Sequence, residues 1–353
     1  MCHLRILKKQ RLPLRSLDEL LLHHCCTLAW EHQTLALPNP SVGALIVAPN
    51  EDIIGVAVHI LVGSPHAEIL AMKEAYYTLT QDKQILNLTE SKDIHQYLLN
   101  NHQGIFTQCA LYVSLEPCNH QGKTPPCAAL IAELQFAKVC IATTESHQLA
   151  KGGLDYLLSK HINASVNLAL EHYAKSLLLP FETMRTKGRF VLFKLAQRLN
   201  GDYKNGRISC QDSQIFTHNQ RSVCDYICIS GATLRTDNPQ LNARYATTPY
   251  DSTKAPQVLV FSHTQNKLKA ENKILENRVH FSADIRDVRE LKGFVIIEGG
   301  YHLLHSMRSE IDMLLLMQSP HTTQDSQTQT GFDESFSLIH QNTLGSDVAL
   351  WLV

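Results

Sequence analysis

The sequence predicts an α/β protein with two domains. Its 353 residues correspond to about two domains at roughly 150 residues each. In both halves, short apolar segments typical of buried strands alternate with helical segments, which indicates parallel or mixed sheets covered by helices. The pattern changes at Pro180 and at the basic, turn-like segment 185–188, so we place the two domains at residues 1–180 and 181–353.

Capping residues mark the helix starts of the first half. Ser16 and Glu19 form a capping box for a helix that runs toward Glu31. Ser64 and Pro65 suit the N-cap and the first position of a second helix. The other elements expected in this half are strands at 42–48, 53–60, 110–115 and 138–143, helices near 94–99 and at 128–134, and a polar insertion over 78–108.

The second half contains a longer series of apolar segments. Gly299 and Gly300 end one of them and precede a helix expected over 301–308, so backbone N–H groups at this turn can approach a phosphate. Glycine pairs are also common in ordinary turns, and this signal is weak by itself. The Gln-, Thr- and Ser-rich segment 321–335 is expected to be a loop. Strands are expected at 190–195, 226–230, 258–262, 279–281, 294–298, 313–317 and 348–352.

The charge balance, the apolar segments and the cysteine content restrict the partners and the cellular location that we expect for this protein. The 32 Lys and Arg against 33 Asp and Glu give a net charge of −1, which argues against a broad cationic face for nucleic acid or anionic lipid. Residues 1–26 lack the apolar core of a secretory signal, and no segment has the apolar length of a membrane span. We expect a cytoplasmic protein without nucleic-acid or membrane partners. Its ten Cys are expected to be thiols or metal ligands rather than disulfides.

One His and two Cys form the strongest chemical pattern. His66 and Glu68 flank Ala67, and Cys118 and Cys127 each follow a Pro. One imidazole and two thiolates are a ligand set that zinc prefers, and three protein ligands leave the fourth tetrahedral position for water. Zinc lowers the pKa of such a water to about 7. Glu68 then suits a general acid/base that moves the water proton to a leaving amine.

The spacing of the two Cys differs from the short zinc-deaminase signature. That signature combines His-x-Glu with Pro-Cys-x-x-Cys, whereas Cys127 follows Cys118 by nine positions here. His-Ala-Glu also occurs by chance, and paired Cys are often buried thiols. The complete set in a βα context nevertheless favours a zinc site, and the other Cys are interpreted as packing residues.

Three motifs in the first half are distinctive. They are Pro-Asn-Pro-Ser-Val-Gly at 38–43, Gly55-x-x-x-His59-x-x-x-Gly63-x-x-His66-Ala67-Glu68, and Leu-Glu-Pro-Cys-x-His-x-Gly-Lys-Thr-Pro-Pro-Cys at 115–127. Together they closely resemble the bifunctional deaminase/reductase family of riboflavin biosynthesis. The resemblance implies a cytidine-deaminase-like α/β/α domain, in which zinc hydroxide displaces the 2-amino group of a diamino-pyrimidinone ribosylamine phosphate. It also implies that Asn39, His59 and Lys123 contact this substrate.

Motifs of the second half resemble the reductase half of the same family. They are Lys194-Leu195-Ala196, Arg221-x-x-x-Asp225, Gly231-Ala232-Thr233-x-x-x-Asp237 with Leu241 and Arg244, and Glu298-Gly299-Gly300. The resemblance implies a dihydrofolate-reductase-like α/β domain that uses NADPH. The residues that it implies for NADPH are Ala196, Thr233, Asp237, Ser262, Gly299 and Gly300. Those that it implies for the substrate are Arg221, Leu241, Arg244 and Glu298, and the two Arg side chains suit its phosphate.

Taken with this resemblance, the sequence predicts zinc-dependent deamination followed by the family's NADPH reduction of a ribosyl group to ribityl. The substrate is expected to be a small phosphorylated pyrimidine and the enzyme a homo-oligomer, either a dimer or a tetramer. Two segments differ from the family: 144–147 replaces Asp-Pro-Asn-Pro, and 198–209 replaces a longer loop that ends in Trp-Ile-Thr. The alternatives left open are a deaminase with an inactive reductase domain, a non-catalytic ligand-binding paralogue, and a nucleobase or tRNA-editing deaminase.

Overall fold

The computed structural model of the protein describes most of the chain. The described residues are 16–120, 125–145, 152–204, 206–264, 267–269, 271–274, 276–324 and 333–353. The chain divides into two compact units. Unit 1 consists of Met1–Ala29, Val42–His59 and Gly63–Ser176, and unit 2 of Trp30–Ser41, Ile60–Val62 and Leu177–Val353.

Unit 1 is built on a five-stranded mixed sheet. Its strands are β1 (Gly43–Val47), β2 (Ile53–Val58), β3 (Ala110–Val113), β4 (Lys138–Ile141) and β5 (Ala164–Val166), in the order β2-β1-β3-β4-β5. Strand β1 is antiparallel to β2 and β3, whereas β3, β4 and β5 are parallel. The strands at 42–48 and 53–60 and the mixed α/β sheet expected from the sequence are therefore confirmed. The helices are α1 (Leu17–Glu31), α2 (Ala67–Thr80), α3 (Ser91–Asn101), α4 (Cys127–Glu133) and α5 (Gly153–Ser159).

Helix α2 begins later than the sequence suggested. Its N-cap is His66, whose backbone is extended at φ −66° and ψ 159°, so the expected start at Ser64 and Pro65 is wrong. The Pro65 carbonyl instead accepts a hydrogen bond from His59 Nδ1 at 3.2 Å. The extended backbone leaves His66 just outside the helix, where its ring meets the two cysteine sulfurs.

The insertion at 78–108 is more regular than its weak periodicity suggested. Helix α2 reaches into it, a 3-10 turn covers Lys83–Asn87, and α3 is longer than the expected 94–99. Lys73 of α2 donates from Nζ to the carbonyls of Leu86 at 3.1 Å and Leu88 at 2.6 Å. Polar contacts therefore help to attach this segment to helix α2, and such contacts leave no hydrophobic period in the sequence.

Helix α6 (Glu171–Lys187) contains the change from unit 1 to unit 2. Pro180 lies inside this helix and the basic residues form its last turn, so the break and the turn expected there are wrong. Basic side chains favour the C-terminal end of a helix, and Gly188 at φ 72° is the left-handed residue that ends it. The helix runs on through this region, and the domain limits 1–180 and 181–353 stay a prediction.

Unit 2 is built on a mostly parallel sheet of eight strands. They are β6 (Arg189–Arg198), β7 (Tyr226–Ser230), β8 (Gln257–Phe261), β9 (Val279–Ser282), β10 (Gly293–Glu298), β11 (Met313–Ser319), β12 (Leu338–Leu344) and β13 (Asp347–Leu352). Their order is β12-β13-β11-β6-β10-β7-β8-β9. All seven expected strands are present. The unexpected β12 is an edge strand in which only His340 is buried, so it carries no buried apolar run. The helices are α7 (Gln211–Val223), α8 (Gly231–Asp237) and α9 (Tyr301–Met307).

Four central strands of unit 2 end at one edge of the sheet. Strands β6, β10, β7 and β8 are adjacent and parallel. Their side chains Phe193, Ile297 and Cys228 are fully buried at 0% exposure, which fixes the strands in a closed core. Ligands of open parallel sheets bind outside the carboxyl ends of the strands, and the segments expected to bind NADPH leave from this edge. Among the described residues, none of the helices has the length and apolar character that crossing a membrane requires.

Candidate zinc centre and reductase site

The predicted zinc ligands come together at two helix starts and one strand end. His66 is the N-cap of α2, Cys127 is the first residue of α4, and Cys118 follows β3. The N–H of Cys127 donates to Cys118 Sγ at 3.4 Å. The donor atoms of all three side chains lie within 4.8 Å of one another.

The distances between these donor atoms suit one tetrahedral zinc ion. His66 Nδ1 is 3.6 Å from Cys118 Sγ and 3.4 Å from Cys127 Sγ. With Zn–S near 2.3 Å and Zn–N near 2.0 Å, a tetrahedron requires a nitrogen-to-sulfur separation of about 3.5 Å. The donors therefore fit zinc before any rearrangement, and three of them leave one position for water.

Burial and mutual contacts control protonation around this cluster. A hydrogen bond from Cys127 lowers the pKa of Cys118 to about 4, which favours the thiolate that binds metal. Burial raises the pKa of Glu68, whose side chain in the first turn of α2 is 3% exposed. Glu68 contacts Cys127 through a hydrogen bond but is not one of the clustered donors. A carboxyl group beside a metal site, and not part of it, is suited to moving a proton.

Of the other residues expected at the deaminase site, one lies beside His66, one lies in unit 2 and one lies outside the described residues. His59 is buried and its ring meets the ring of His66 edge-on, with centroids 5.5 Å apart. Burial lowers the pKa of His59 to about 4, so the ring is neutral at pH 7. Asn39 lies in the Trp30–Ser41 segment of unit 2, and Lys123 lies outside the described residues. Their roles as substrate contacts stay predictions.

In unit 2, the residues expected to bind NADPH leave from one edge of the sheet. The strands that carry them are adjacent and parallel, so their carboxyl ends lie side by side, where ligands of open α/β sheets bind. The arrangement suits a dinucleotide that lies across the strand ends. Along the chain these residues are Ala196 near the end of β6, Thr233 and Asp237 on α8 after β7, Ser262 after β8, and Gly299 and Gly300 after β10.

Two glycines at this edge let neighbouring side chains come closer to the backbone than a Cβ atom would permit. A Cβ on Gly231 would lie 2.8 Å from the Ser262 side chain, and a Cβ on Gly300 would lie 2.1 Å from the Tyr203 ring. Tyr203 therefore covers one side of Gly300, and its ring meets Tyr301 edge-on with centroids 5.3 Å apart. The loop after β6, which differs from the family, brings an aromatic ring to the glycine turn.

A buried ion pair holds that loop. Arg198 Nη1 lies 2.7 Å from Asp202 Oδ2, with the Asp202 side chain 2% exposed. Thr323 Oγ1 donates to Asp202 at 2.8 Å, and Arg198 Nη2 donates to the Arg207 carbonyl at 3.1 Å. Arg207 is exposed, although it stands where the family resemblance places a Trp. The loop is thus a packed turn with paired charges.

The residues expected to hold the substrate surround an Arg–Glu pair. Arg221 Nη2 donates to both carboxylate oxygens of Glu298, at 2.8 and 2.7 Å. Burial opposes ionisation of Glu298, but Arg221 and Lys194 outweigh it and lower the pKa of Glu298. Leu241 is buried and left-handed at φ 47°, a conformation that residues with a side chain rarely adopt. Arg244 is exposed and has no carboxylate partner among the described residues, so it is the guanidinium better placed for a phosphate.

Three polar residues at the two sites were not assigned a role from the sequence. Lys194 lies opposite Glu298 in the β6–β10 register, and burial lowers its pKa. His218 Nε2 is 3.5 Å from Arg221 Nη1, and its place one helical turn before Arg221 was the signal that could have found it. In unit 1, the buried Glu116 precedes the Pro-Cys of the zinc motif.

Two family models match the chain, one in each half. Residues 15–143 match the cytidine and deoxycytidylate deaminase zinc-binding region, and residues 197–348 match the RibD C-terminal domain. The fold and the site therefore define a protein with a cytidine-deaminase-like zinc-binding domain followed by a dihydrofolate-reductase-like domain.

The chain is also similar to the riboflavin biosynthesis protein RibD of several bacteria. It is 31% identical to the protein of Synechocystis sp. over an alignment of 232 residues. That alignment covers 64% of this chain and 55% of the Synechocystis protein. It is 30% identical to the protein of Haemophilus influenzae over an alignment of 240 residues, which covers 66% of this chain and 57% of the Haemophilus protein. The matched part thus spans a little over half the length of these relatives.

Solved structures show the same fold over nearly the whole chain. The diaminohydroxyphosphoribosylaminopyrimidine deaminase/5-amino-6-(5-phosphoribosylamino)uracil reductase of Thermotoga maritima matches with a TM-score of 0.61 and 22% identity, covering 95% of this chain and 98% of that chain. RibD of Acinetobacter baumannii matches with a TM-score of 0.60 and 23% identity over the same shares. These structures confirm the fold, and the two family models with the bacterial relatives confirm the resemblance to the bifunctional riboflavin biosynthesis deaminase/reductase.

Proposed function

We propose that the chain is a bifunctional enzyme of riboflavin biosynthesis, with a zinc-dependent deaminase followed by an NADPH-dependent reductase. The observation that carries this proposal is the tetrahedral spacing of His66, Cys118 and Cys127 beside the buried Glu68. The two matching family models, which follow one another in this order along the chain, support the combination of activities.

In the deamination, Glu68 moves a proton. His66, Cys118 and Cys127 would hold zinc, which would supply a water that ionises near neutral pH. Glu68 would take a proton from the attacking water and pass it to the 2-amino group of a diamino-pyrimidinone ribosylamine phosphate, which leaves as ammonia as the water oxygen bonds to its carbon. Burial raises the pKa of Glu68, and a carboxyl group whose pKa lies closer to the working pH both accepts and returns a proton more readily.

The pyrimidine is held by neighbouring side chains. His59 is neutral and its Nδ1 is bonded to the Pro65 carbonyl, so it contacts the base as an uncharged ring of fixed orientation. Asn39 and Lys123 are proposed as further contacts, the first with the base and the second at the polar end of the substrate.

In the reduction, residues at the strand ends of unit 2 would hold NADPH. The cofactor would supply the hydride that converts the ribosyl group to ribityl. Gly299 and Gly300 are proposed to meet the cofactor through the backbone N–H groups of their turn, and Ala196 borders the same edge. The remaining proposed contacts are Thr233, Asp237 and Ser262.

The reductase substrate is held between an ion pair and an exposed guanidinium. Arg221 keeps Glu298 ionised and oriented at the end of β10, so Glu298 presents a fixed negative edge to the sugar hydroxyls. Arg221 and Arg244 attract the phosphate, and Leu241 adds an apolar contact.

A paired assay on one preparation tests the proposal. Bound zinc, ammonia release and NADPH consumption are measured with the riboflavin-pathway substrate. Stoichiometric zinc, ammonia release without NADPH, and NADPH consumption that follows deamination are expected. Bound zinc with neither ammonia release nor NADPH consumption would contradict the proposal. Ammonia release without NADPH binding would instead support the deaminase with an inactive reductase, which the altered loop at 198–209 favours.

We also propose a cytoplasmic homo-oligomer, a dimer or a tetramer, that acts on a small phosphorylated pyrimidine. A non-catalytic paralogue is less favoured because a structural zinc does not need Glu68 beside it. An RNA-editing deaminase is less favoured because the net charge is −1, and salt-sensitive RNA binding would speak for it.

A further inference from the structure

Glu116 joins three segments next to the metal ligand Cys118. Its carboxylate is buried, with 7% of the residue exposed. Oε1 accepts hydrogen bonds from the N–H groups of Gly152 at 3.1 Å and Leu154 at 2.9 Å. Oε2 accepts a third from the N–H of Glu145 at 2.9 Å. Both oxygens are thus used, and every donor is a backbone group from the segments after β4 and at the start of α5.

The residues around Cys118 are held against α5 in two further ways. Asn119 Nδ2 donates to the Gly152 carbonyl at 3.2 Å. A Cβ on Gly153 would lie 1.9 Å from the Pro117 oxygen, so the two backbones touch at a distance that only glycine permits. The start of α5 therefore contacts the chain on both sides of Cys118.

The cap of α5 shows why these contacts concern the metal centre. The N-cap of α5 is Gly152, which offers no side-chain acceptor, and the structure has no side-chain cap bond from it. A Ser or Asp at this position would satisfy the first-turn N–H groups locally. The distant Glu116 does so instead, and the stability of the helix start therefore depends on where the metal loop, residues 116–119, is placed.

We propose that Glu116 is a positioning residue, which fixes Cys118 for zinc by holding the metal loop on the start of α5. This inference rests on the proposed zinc centre. Metal affinity depends on ligands held in place by surrounding hydrogen bonds, and loss of such support costs roughly 10–100-fold in affinity. Glu116 does not belong to the clustered donors, so its effect reaches the metal only through Cys118.

Cobalt substitution is the direct test. Co²⁺ replaces Zn²⁺ in such sites, and its visible absorption reports the geometry of the thiolate and imidazole ligands. Glu116→Ala is expected to shift and weaken the cobalt bands and to lower zinc affinity by roughly 10–100-fold in chelator competition. Glu116→Gln keeps an oxygen for Gly152 and Leu154 and is expected to show a smaller loss. Glu133→Gln, at an exposed position on α4, is the matched control and should change neither.

A second variant separates positioning from stability. Gly153→Ala pushes the Pro117 carbonyl away and leaves the Glu116 carboxylate intact, so it should shift the cobalt bands as Glu116→Ala does. Lower thermal stability with unchanged bands and unchanged zinc affinity in both variants would show that Glu116 is only structural and would overturn the inference. Failure of the unaltered chain to bind zinc or cobalt would overturn the zinc centre itself and this inference with it.

Discussion

The candidate zinc centre of unit 1 and the proposed NADPH site at the strand ends of unit 2 are assembled in different ways. The three proposed zinc donors and Glu68 come from two short stretches, 66–68 and 118–127, and their nitrogen-to-sulfur distances of 3.4 and 3.6 Å already suit the metal. The residues proposed for NADPH come from separate segments between Ala196 and Gly300. They leave from one edge because β6, β10, β7 and β8 are neighbours in the sheet. A metal site of this kind is therefore encoded by local motifs, whereas a site at strand ends is encoded by strand order.

The largest effect is expected at the zinc centre. Cys127→Ala removes one of three donors, and the remaining two cannot hold zinc at a catalytic site. Zinc content by atomic absorption and ammonia release should both fall to background, while NADPH binding by unit 2 should persist. Cys109→Ala, at a buried packing Cys, should retain zinc. Loss of NADPH binding in Cys127→Ala would show that the two sites do not form independently.

Removal of the proton carrier should leave the metal in place. Glu68→Gln keeps the shape of the side chain but cannot accept a proton, so ammonia release should fall by roughly 10²–10⁴-fold. Zinc content should be unchanged, because Glu68 is not one of the clustered donors. Unchanged ammonia release would show that the general acid/base assignment is wrong.

In unit 2, the Arg221–Glu298 ion pair should matter most for stability. Arg221→Gln leaves Glu298 without its bidentate partner, which should lower the free energy of unfolding by on the order of 3 kcal/mol at neutral pH. The folded pKa of Glu298 lies below its ordinary value of 4.5. The stabilisation is therefore present above that pH and is lost as the pH falls through the folded pKa. Urea unfolding should show a difference between variant and parent that shrinks at acidic pH, and a pH-independent difference would contradict this reading.

The smallest effect concerns the glycine turn. Gly300→Ala adds a Cβ that would lie 2.1 Å from the Tyr203 ring, and such overpacking costs about 1–3 kcal/mol. Tyr203→Ala makes room for the added methyl group. In a double-mutant cycle measured by urea unfolding, the double variant should therefore lose less stability than the sum of the single variants. Additive losses would mean that Tyr203 does not cover Gly300 in solution.

Hydrophobic periodicity located most strands but not the details that build the sites. The strand of Val191 and Leu192 was predicted because buried parallel strands are runs of apolar residues. Strand β12 was missed because edge strands need no such run. The start of α2 was misplaced because Pro65, although suited to a first helical position, is used as an acceptor for His59. Pro180, where the pattern was expected to change, lies inside α6, since packing can hold a helix through a proline that local preference disfavours there.

The sequence by itself determined the candidate zinc ligands, the neighbouring Glu68 and the α/β class, because ligand chemistry depends on residue type and spacing, and strands and helices depend on periodicity. The tertiary structure alone decided that Glu116 accepts three backbone hydrogen bonds beside Cys118 and that Arg221 binds Glu298. These partners lie up to 77 positions apart in the chain. Hydrogen bonds over such separations depend on which strands and helices become neighbours, and local sequence patterns do not predict which elements pack together.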